Sequence, residues 1–231
     1  MVKAIGYLMT NDTGFAPNPF HGHLTLATCK PSVRRARKVG EWVAGFASKE
    51  LVKRSLENGL HIPFTGMVYL MRVGEVITLD EYFRDSRFVS KRPTSNLGNR
   101  AERCGDNIYY RGKNGEYRQV RSDFHGQKAV EHDTGGRNAL IASEFYYLGR
   151  NCLVPEGGWA KLLGYELSAA RTFTCPPDFV GKMVDYLAGM RIKAGINGEP
   201  CAWPSNTFVS TAHGLGKGSK ARDQLPNADC S

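Results

Sequence analysis

The loop NDTGFAPN at positions 11–18 combines what a pocket for a planar base needs. Asp12, Thr13 and Asn18 offer hydrogen-bond donors and acceptors, Gly14 allows close backbone approach, and Phe15 offers a stacking face. The plainer alternative is an Asx-turn with Phe15 plugging the core. Downstream, Lys30 and the cations Arg34, Arg35, Arg37 and Lys38 form a cluster suited to neutralising phosphates. Trp42, Tyr109, Tyr110, Tyr146 and Tyr147 lie near cations and could carry stacked bases, although strand alternation sends one of each Tyr pair inward. His21 and His23 point the same way on an extended segment, and Asp12 or Cys29 could join them. Without a well-spaced third and fourth ligand this pattern makes no metal centre, so neither metal nor cofactor is expected.

The charge distribution favours a polyanionic partner. Residues 30–54 carry eight Lys/Arg against two acids, an excess of +6. Residues 84–121 carry ten against four, again +6, whereas 131–231 hold ten of each. Two basic blocks brought onto one face would attract nucleic acid through counterion release; on separate faces they would be ordinary solvated surface. The six cysteines are scattered with no C-x-x-C pair, so most read as reduced, partly buried small hydrophobes. No run reaches the roughly 18–20 apolar residues of a membrane span. The opening MVKAIGYLMTNDTGF reads as a first strand rather than a secretory signal, which implies a cytoplasmic protein.

These residues need elements to hold them. The patterns predict strands over 3–10, 24–28, 42–47, 67–78, 107–111, 128–131 and 139–148, with Gly74 bending the fourth. Short helices are expected over 32–38, 49–60, 79–83 and 159–168, and 90–103 reads as a surface loop. The clearest helix is 178–193, where Phe179, Val180, Met183, Val184, Leu187 and Ala188 make an apolar stripe. This alternation argues for an α+β fold, best met by a small, partly open mixed barrel with peripheral helices. The expected organisation is a nucleotide-directed domain over 1–155, a helical extension over 156–204 and a flexible tail over 205–231. No G-x-G-x-x-G, P-loop or G-x-S-x-G occurs, which removes the signatures of the common nucleotide-cofactor and α/β-hydrolase folds.

The ordered motifs YLMTNDTGFAPNP, TLATCKPSVRRARKVGEWVAGF, GDNIYY and LIASEFYYLG resemble the nucleotide modification-associated domain 2 family. The resemblance covers most of residues 5–155 and implies association with DNA-modification systems. More distantly, the strand, basic helix and G-[DE]-W-V strand are similar to PUA-like domains of the ASCH and EVE groups, compact barrels that hold RNA or a modified base. The likeness to ASCH amidohydrolases implies a catalytic set of Thr28, Lys30 and Glu75, with Thr25 beside it: a desolvated Lys activating a hydroxyl and a Glu moving the proton. Alternatively Lys30 is a phosphate contact, Thr28 a strand residue and Glu75 solvent-facing.

The expectation drawn from all this is a domain that binds a modified base or nucleotide within nucleic acid. Its pocket would comprise the 11–18 loop, the 25–35 segment and an aromatic such as Trp42 or Tyr109. The alternatives are a base-modifying enzyme, a protein that sequesters a free small nucleotide, and an interaction protein docking an acidic partner.

Overall fold

The computed structural model describes residues 3–94, 98–168 and 170–203. The chain runs through β1 (Ala4–Met9), β2 (Leu24–Leu26), α1 (Pro31–Ala36), β3 (Trp42–Ala47), α2 (Lys49–Glu57), β4 (Met67–Arg72), β5 (Glu75–Thr78), α3 (Leu79–Arg84) and α4 (Arg100–Arg103). It continues through β6 (Tyr109–Arg111), β7 (Tyr117–Gln119), α5 (Val130–Thr134), β8 (Asn138–Ala142), β9 (Phe145–Tyr147), α6 (Gly158–Leu163), β10 (Thr172–Cys175), α7 (Phe179–Gly189) and β11 (Gly195–Ile196).

Strand alternation decides the layers. Along β1, Ile5, Tyr7 and Met9 face one core while Ala4 and Leu8 face another. The first core joins a six-stranded sheet, ordered β10-β1-β3-β4-β9-β11, to a three-stranded sheet, β2-β8-β5. The second core lies under α6 and α7, where Trp159, Phe179, Met183 and Leu187 cover the other face of the large sheet. A third core, with Phe15, Tyr82, Phe88 and Phe124, covers the outer face of the small sheet through Ala139 and Ile141. At about 1.5–3 kcal/mol for each fully buried large apolar side chain, these three cores dominate the folding free energy. Local signals agree with the packing. Ser48 caps α2 by accepting from the Leu51 N–H at 3.1 Å, and Thr78 with Glu81 forms a capping box on α3.

The fold is mixed α+β with peripheral helices, as expected; the described strands form separate sheets, including the pair β6-β7, and close no barrel. Two expectations are corrected. The apolar runs 67–78 and 139–148 are each two strands, not one. Both runs cross between the large sheet and the small one at the same level, where Arg72 N–H donates to the Glu144 carbonyl at 3.0 Å and their side chains pair at 3.1 Å. Residues 128–131 begin a helical turn leading into α5 rather than a strand. Segments beyond 155 supply both edges of the large sheet, β10 on β1 and β11 on β9, as well as α6 and α7. The expected tail at 205–231 lies outside the described residues. Among those residues, no helix is long and apolar enough to cross a membrane.

Candidate active site

The chain between β2 and α1 makes an unusual corner. Cys29 (φ 54°) and Lys30 (φ 41°) are both left-handed, one after the other and neither a glycine, before Pro31 opens α1. Such conformations cost free energy and gather at functional sites. The corner brings Cys29 against two residues that lie far along the chain. His125 Nε2 is 3.7 Å from Cys29 Sγ, and His125 Nδ1 is 2.7 Å from Asp133 Oδ2. Asp133 is fully buried and accepts also from the Cys29 N–H at 2.8 Å and the Tyr109 hydroxyl at 2.7 Å. Burial alone would raise its pKa, but the hydrogen bonds from His125 and Tyr109 and the charges of His125 and Arg34 outweigh it and hold Asp133 below the usual carboxylate value. An ionised Asp133 is acceptor-only, so Nδ1 carries the hydrogen and Nε2 faces the sulfur.

Arg34 braces this corner from inside. Its guanidinium donates to the carbonyls of Cys29 (2.7 Å), Asn138 (2.8 Å) and Asp133. Burial lowers its pKa to about 10 against the pull of Asp133, leaving it a cation at neutral pH. A side chain at Gly136 would run into that guanidinium, which is why only glycine fits there. The imidazole is wedged by the Phe15 ring, edge-on at 4.8 Å, and Phe15 in turn stacks on Phe124 at 5.1 Å. Beside Cys29, the fully buried Thr28 hydroxyl has no hydrogen-bond partner among the described residues, the kind of exception that marks functional sites.

Cys29, His125 and Asp133 place their ligand atoms within 4.8 Å of one another, close enough to suggest a metal centre. The hydrogen bonds argue otherwise. At 2.7 Å no ion fits between His125 Nδ1 and Asp133, and the other carboxylate oxygen is taken by the Cys29 N–H. That leaves one nitrogen and one sulfur, short of the three or four donors a zinc site uses. A nucleophile, a base and an orienting carboxylate describe the arrangement better.

Comparison of the whole chain decides its kinship: the family model for nucleotide modification associated domain 2 matches residues 1–207. The chain belongs to that family. No curated protein and no solved structure matches it. The family's name ties this nucleotide modification associated domain to a nucleotide-modification system, a coarser statement than any activity.

Within the domain, the residues singled out by sequence fall into three groups. Tyr109 and Thr28 lie at the Cys29 corner, Tyr109 as a donor to Asp133. A second group supports the fold. Phe15 is fully buried, so it is a core plate and not a free stacking face, and Trp42 is likewise core. Arg34 is internal and cannot reach a phosphate. Asp12 accepts from the Tyr147 hydroxyl (2.6 Å) and the Cys201 N–H (2.9 Å), and burial raises its pKa. The Thr13 carbonyl receives Cys104 Sγ and Trp203 Nε1, and Gly14 (φ 78°) packs against Phe20 and Pro200. Asn18 Nδ2 ties the Gly14 and Cys104 carbonyls, both at 2.9 Å. Thr25 donates to Asp106 at 2.8 Å.

The third group faces solvent and is dispersed. Glu75 is half-buried and bidentate with Arg87, whose hydrogen bonds, outweighing burial, hold its pKa down. Lys30 instead lies over the Tyr7 ring at 5.3 Å, so Glu75 and Lys30 share neither a hydrogen bond nor an ion pair. Arg35 donates to the Gly135 carbonyl, Arg37 pairs with Glu41 at 3.3 Å, and Lys38 is exposed. His21 is exposed and the His23 ring packs edge-on to Phe88, and among the described residues the one group of possible metal ligands, Cys29, His125 and Asp133, includes neither. Four cysteines are free and buried, as expected, whereas Cys29 is held in a disulfide whose partner lies outside the described residues.

His125, Asp133, Lys91 and Asp106 were not anticipated. Lys91 is fully buried inside the stretch expected as surface loop, and its ammonium donates to Asn18 O, Asn18 Oδ1 and His23 O. Burial, only partly offset by Asp106, lowers its pKa from 10.5 to about 8. Between those two values the unfolded chain holds a proton that the folded one has released, so folding gains stability as pH rises. The stability of wild type minus that of Lys91→Met is therefore expected to increase from pH 8 to 10.5. The gain is at most about 3 kcal/mol, readable by urea unfolding at each pH. A flat difference would show that Lys91 does not titrate in this window.

Proposed function

We propose that the domain is a cysteine-dependent enzyme acting on an acyl or amide group carried by a modified base, in nucleic acid or as a nucleotide. The observation behind this reading is the chain Cys29 Sγ to His125 Nε2 at 3.7 Å and His125 Nδ1 to Asp133 Oδ2 at 2.7 Å. The family's link to nucleotide modification supports a nucleotide-borne substrate in this reading. The reactive form is the reduced one. Two equivalents of a cellular thiol reduce the Cys29 disulfide, becoming a disulfide themselves, as the proposed cytoplasmic setting provides.

In the reaction, His125 Nε2 takes the Cys29 thiol proton as the sulfur attacks the substrate's carbonyl carbon. The C–N bond breaks, the base amine leaves with the proton returned by His125, and a thioester remains on Cys29. Water or an acceptor amine then attacks the thioester, giving its proton to His125, and the thiolate is reprotonated. Asp133 acts as a positioning residue, fixing the imidazole tautomer. Cys29 is only 5% exposed and His125 4%, so reduction must also uncover the sulfur.

This near-closure favours a second reading, a binder that holds a modified base without altering it. One experiment separates the two. The reduced protein is incubated with nucleosides and oligonucleotides acylated on an exocyclic amine, then analysed by intact-protein and nucleoside mass spectrometry. An acyl adduct on wild type that is missing from Cys29→Ala, with release of the deacylated base, supports the enzyme. Saturable binding with neither adduct nor product overturns it in favour of the binder.

A further inference from the structure

A groove of about 410 Å³ opens beyond the carboxyl ends of the parallel neighbours β1 and β3, whose last residues Met9 and Ala47 are in register. It is lined by Leu8, Thr10, Ser48, Lys49, Phe64 and Arg171, with Glu50 also at its wall. Its volume falls in the range of about 300–1,000 Å³ typical of small-molecule sites. Sites of this kind commonly sit at the carboxyl ends of parallel strands.

Two features give the groove a chemical preference. The first is uncompensated positive charge. Lys49 and Arg171 are exposed, and neither forms an ion pair among the described residues. The carboxylate present, Glu50, is taken by Arg54 at 2.8 Å. Cations kept close together without counter-charge cost free energy that an anion would relieve. The second feature is an aromatic plate. Phe64 is 41% exposed, unusual for so large an apolar ring, and Lys49 Nζ lies 5.8 Å from its centroid. An exposed ring beside cations suits a flat, electron-rich heterocycle that carries an anionic tail.

We infer that this groove binds a nucleotide, its base against Phe64 and its phosphate between Lys49 and Arg171. The choice of ligand rests on the reading that the domain acts on nucleotides, but the site is separate in its residues from Cys29, His125 and Asp133.

The test is a titration, by calorimetry or ligand-observed NMR, of the full chain carrying Cys29→Ala. That variant removes chemistry and leaves the groove intact. The probes are nucleoside 5′-monophosphates, the matching nucleosides, inorganic phosphate and a single-stranded oligonucleotide. Monophosphates are expected to bind more tightly than nucleosides or phosphate alone. Phe64→Ala should weaken them by about tenfold, and Lys49→Glu with Arg171→Glu by about tenfold or more. All of these are surface substitutions, and unchanged circular dichroism would confirm the fold. An oligonucleotide that binds at the same residues more tightly than the monophosphate extends the inference to polymer. Binding unaffected by the substitutions, or no binding of any probe, overturns it. Either result leaves the thioester reading to stand or fall on its own adduct experiment.

Discussion

Asp133→Ala is expected to destabilise the protein by about 3–5 kcal/mol, the scale seen when one member of a buried ionic network is deleted. The carboxylate receives three donors, the Cys29 N–H, the Tyr109 hydroxyl and His125 Nδ1, all within 2.8 Å. Its removal strands each of them without water, and leaves the buried Arg34 cation without its nearest counter-charge. The left-handed corner at Cys29 and Lys30 then keeps the Arg34 brace on the Cys29 carbonyl but loses the acceptor of the Cys29 N–H. Urea unfolding of the reduced proteins measures the loss, and Asp133→Asn, which keeps the shape, should lose less. The pH dependence has a definite sign. Asp133 titrates lower folded than its ordinary 3.8, so its contribution is fully present above that value and disappears as pH falls through the folded one. The gap between wild type and variant should therefore close on acidification. Asp12 and Asp106, both raised chiefly by burial, oppose this trend in wild type and variant alike, so they cancel in the difference. A gap that stays constant down to pH 2.5 would mean that folding does not lower the Asp133 pKa, and a gap that widens would mean that the native carboxyl is protonated.

Much of this architecture is legible in the sequence where a segment has one job. β3 occupies the predicted 42–47, because six apolar residues following Gly40 can only be a strand buried on both faces. The apolar stripe of α7 likewise faces the core. Legibility fails where one apolar run serves two sheets. In 67–78 and 139–148 the hydrophobic pattern is continuous, and the crossing between layers leaves little trace beyond Gly74 in one and Ser143-Glu144 in the other. Short edge strands such as β10 and β11 take their conformation from the strand they join, so local propensity does not mark them.

The site was harder to read because its parts are distant. Cys29 lies 96 residues from His125 and 104 from Asp133, and no local spacing joins them. A cysteine with a histidine and an aspartate elsewhere was a signal present but diffuse. The basic cluster misled for a physical reason. On a helix, successive residues turn by about 100°, so VRRARK cannot turn every cation outward. Val33 and Arg34 face in while Arg35 faces out, Arg37 and Lys38 lie past the end of α1, and the inward cation became the brace of the corner. The 11–18 loop misled in the same sense: its polar atoms satisfy one another and neighbouring carbonyls, leaving Phe15 as packing for His125.

Turnover of an acylated nucleoside by the reduced enzyme is expected to fall about 10³-fold or more in Cys29→Ala, and to a similar extent in His125→Ala. The sulfur makes the covalent bond and the imidazole moves every proton, so neither is useful without the other. The double variant should consequently be no slower than either single one. That non-additivity separates a relay from two residues that merely help the fold, whose losses would multiply. The Cys29→Ala protein should keep the urea midpoint and the nucleotide affinity of the reduced wild type, in which the disulfide is already open. Lys30→Met provides the counter-test. If turnover survives Cys29→Ala but is lost with Lys30→Met and Thr28→Val, the chemistry belongs to the lysine-centred set. The separation of Lys30 from Glu75, each engaged elsewhere, argues against that outcome.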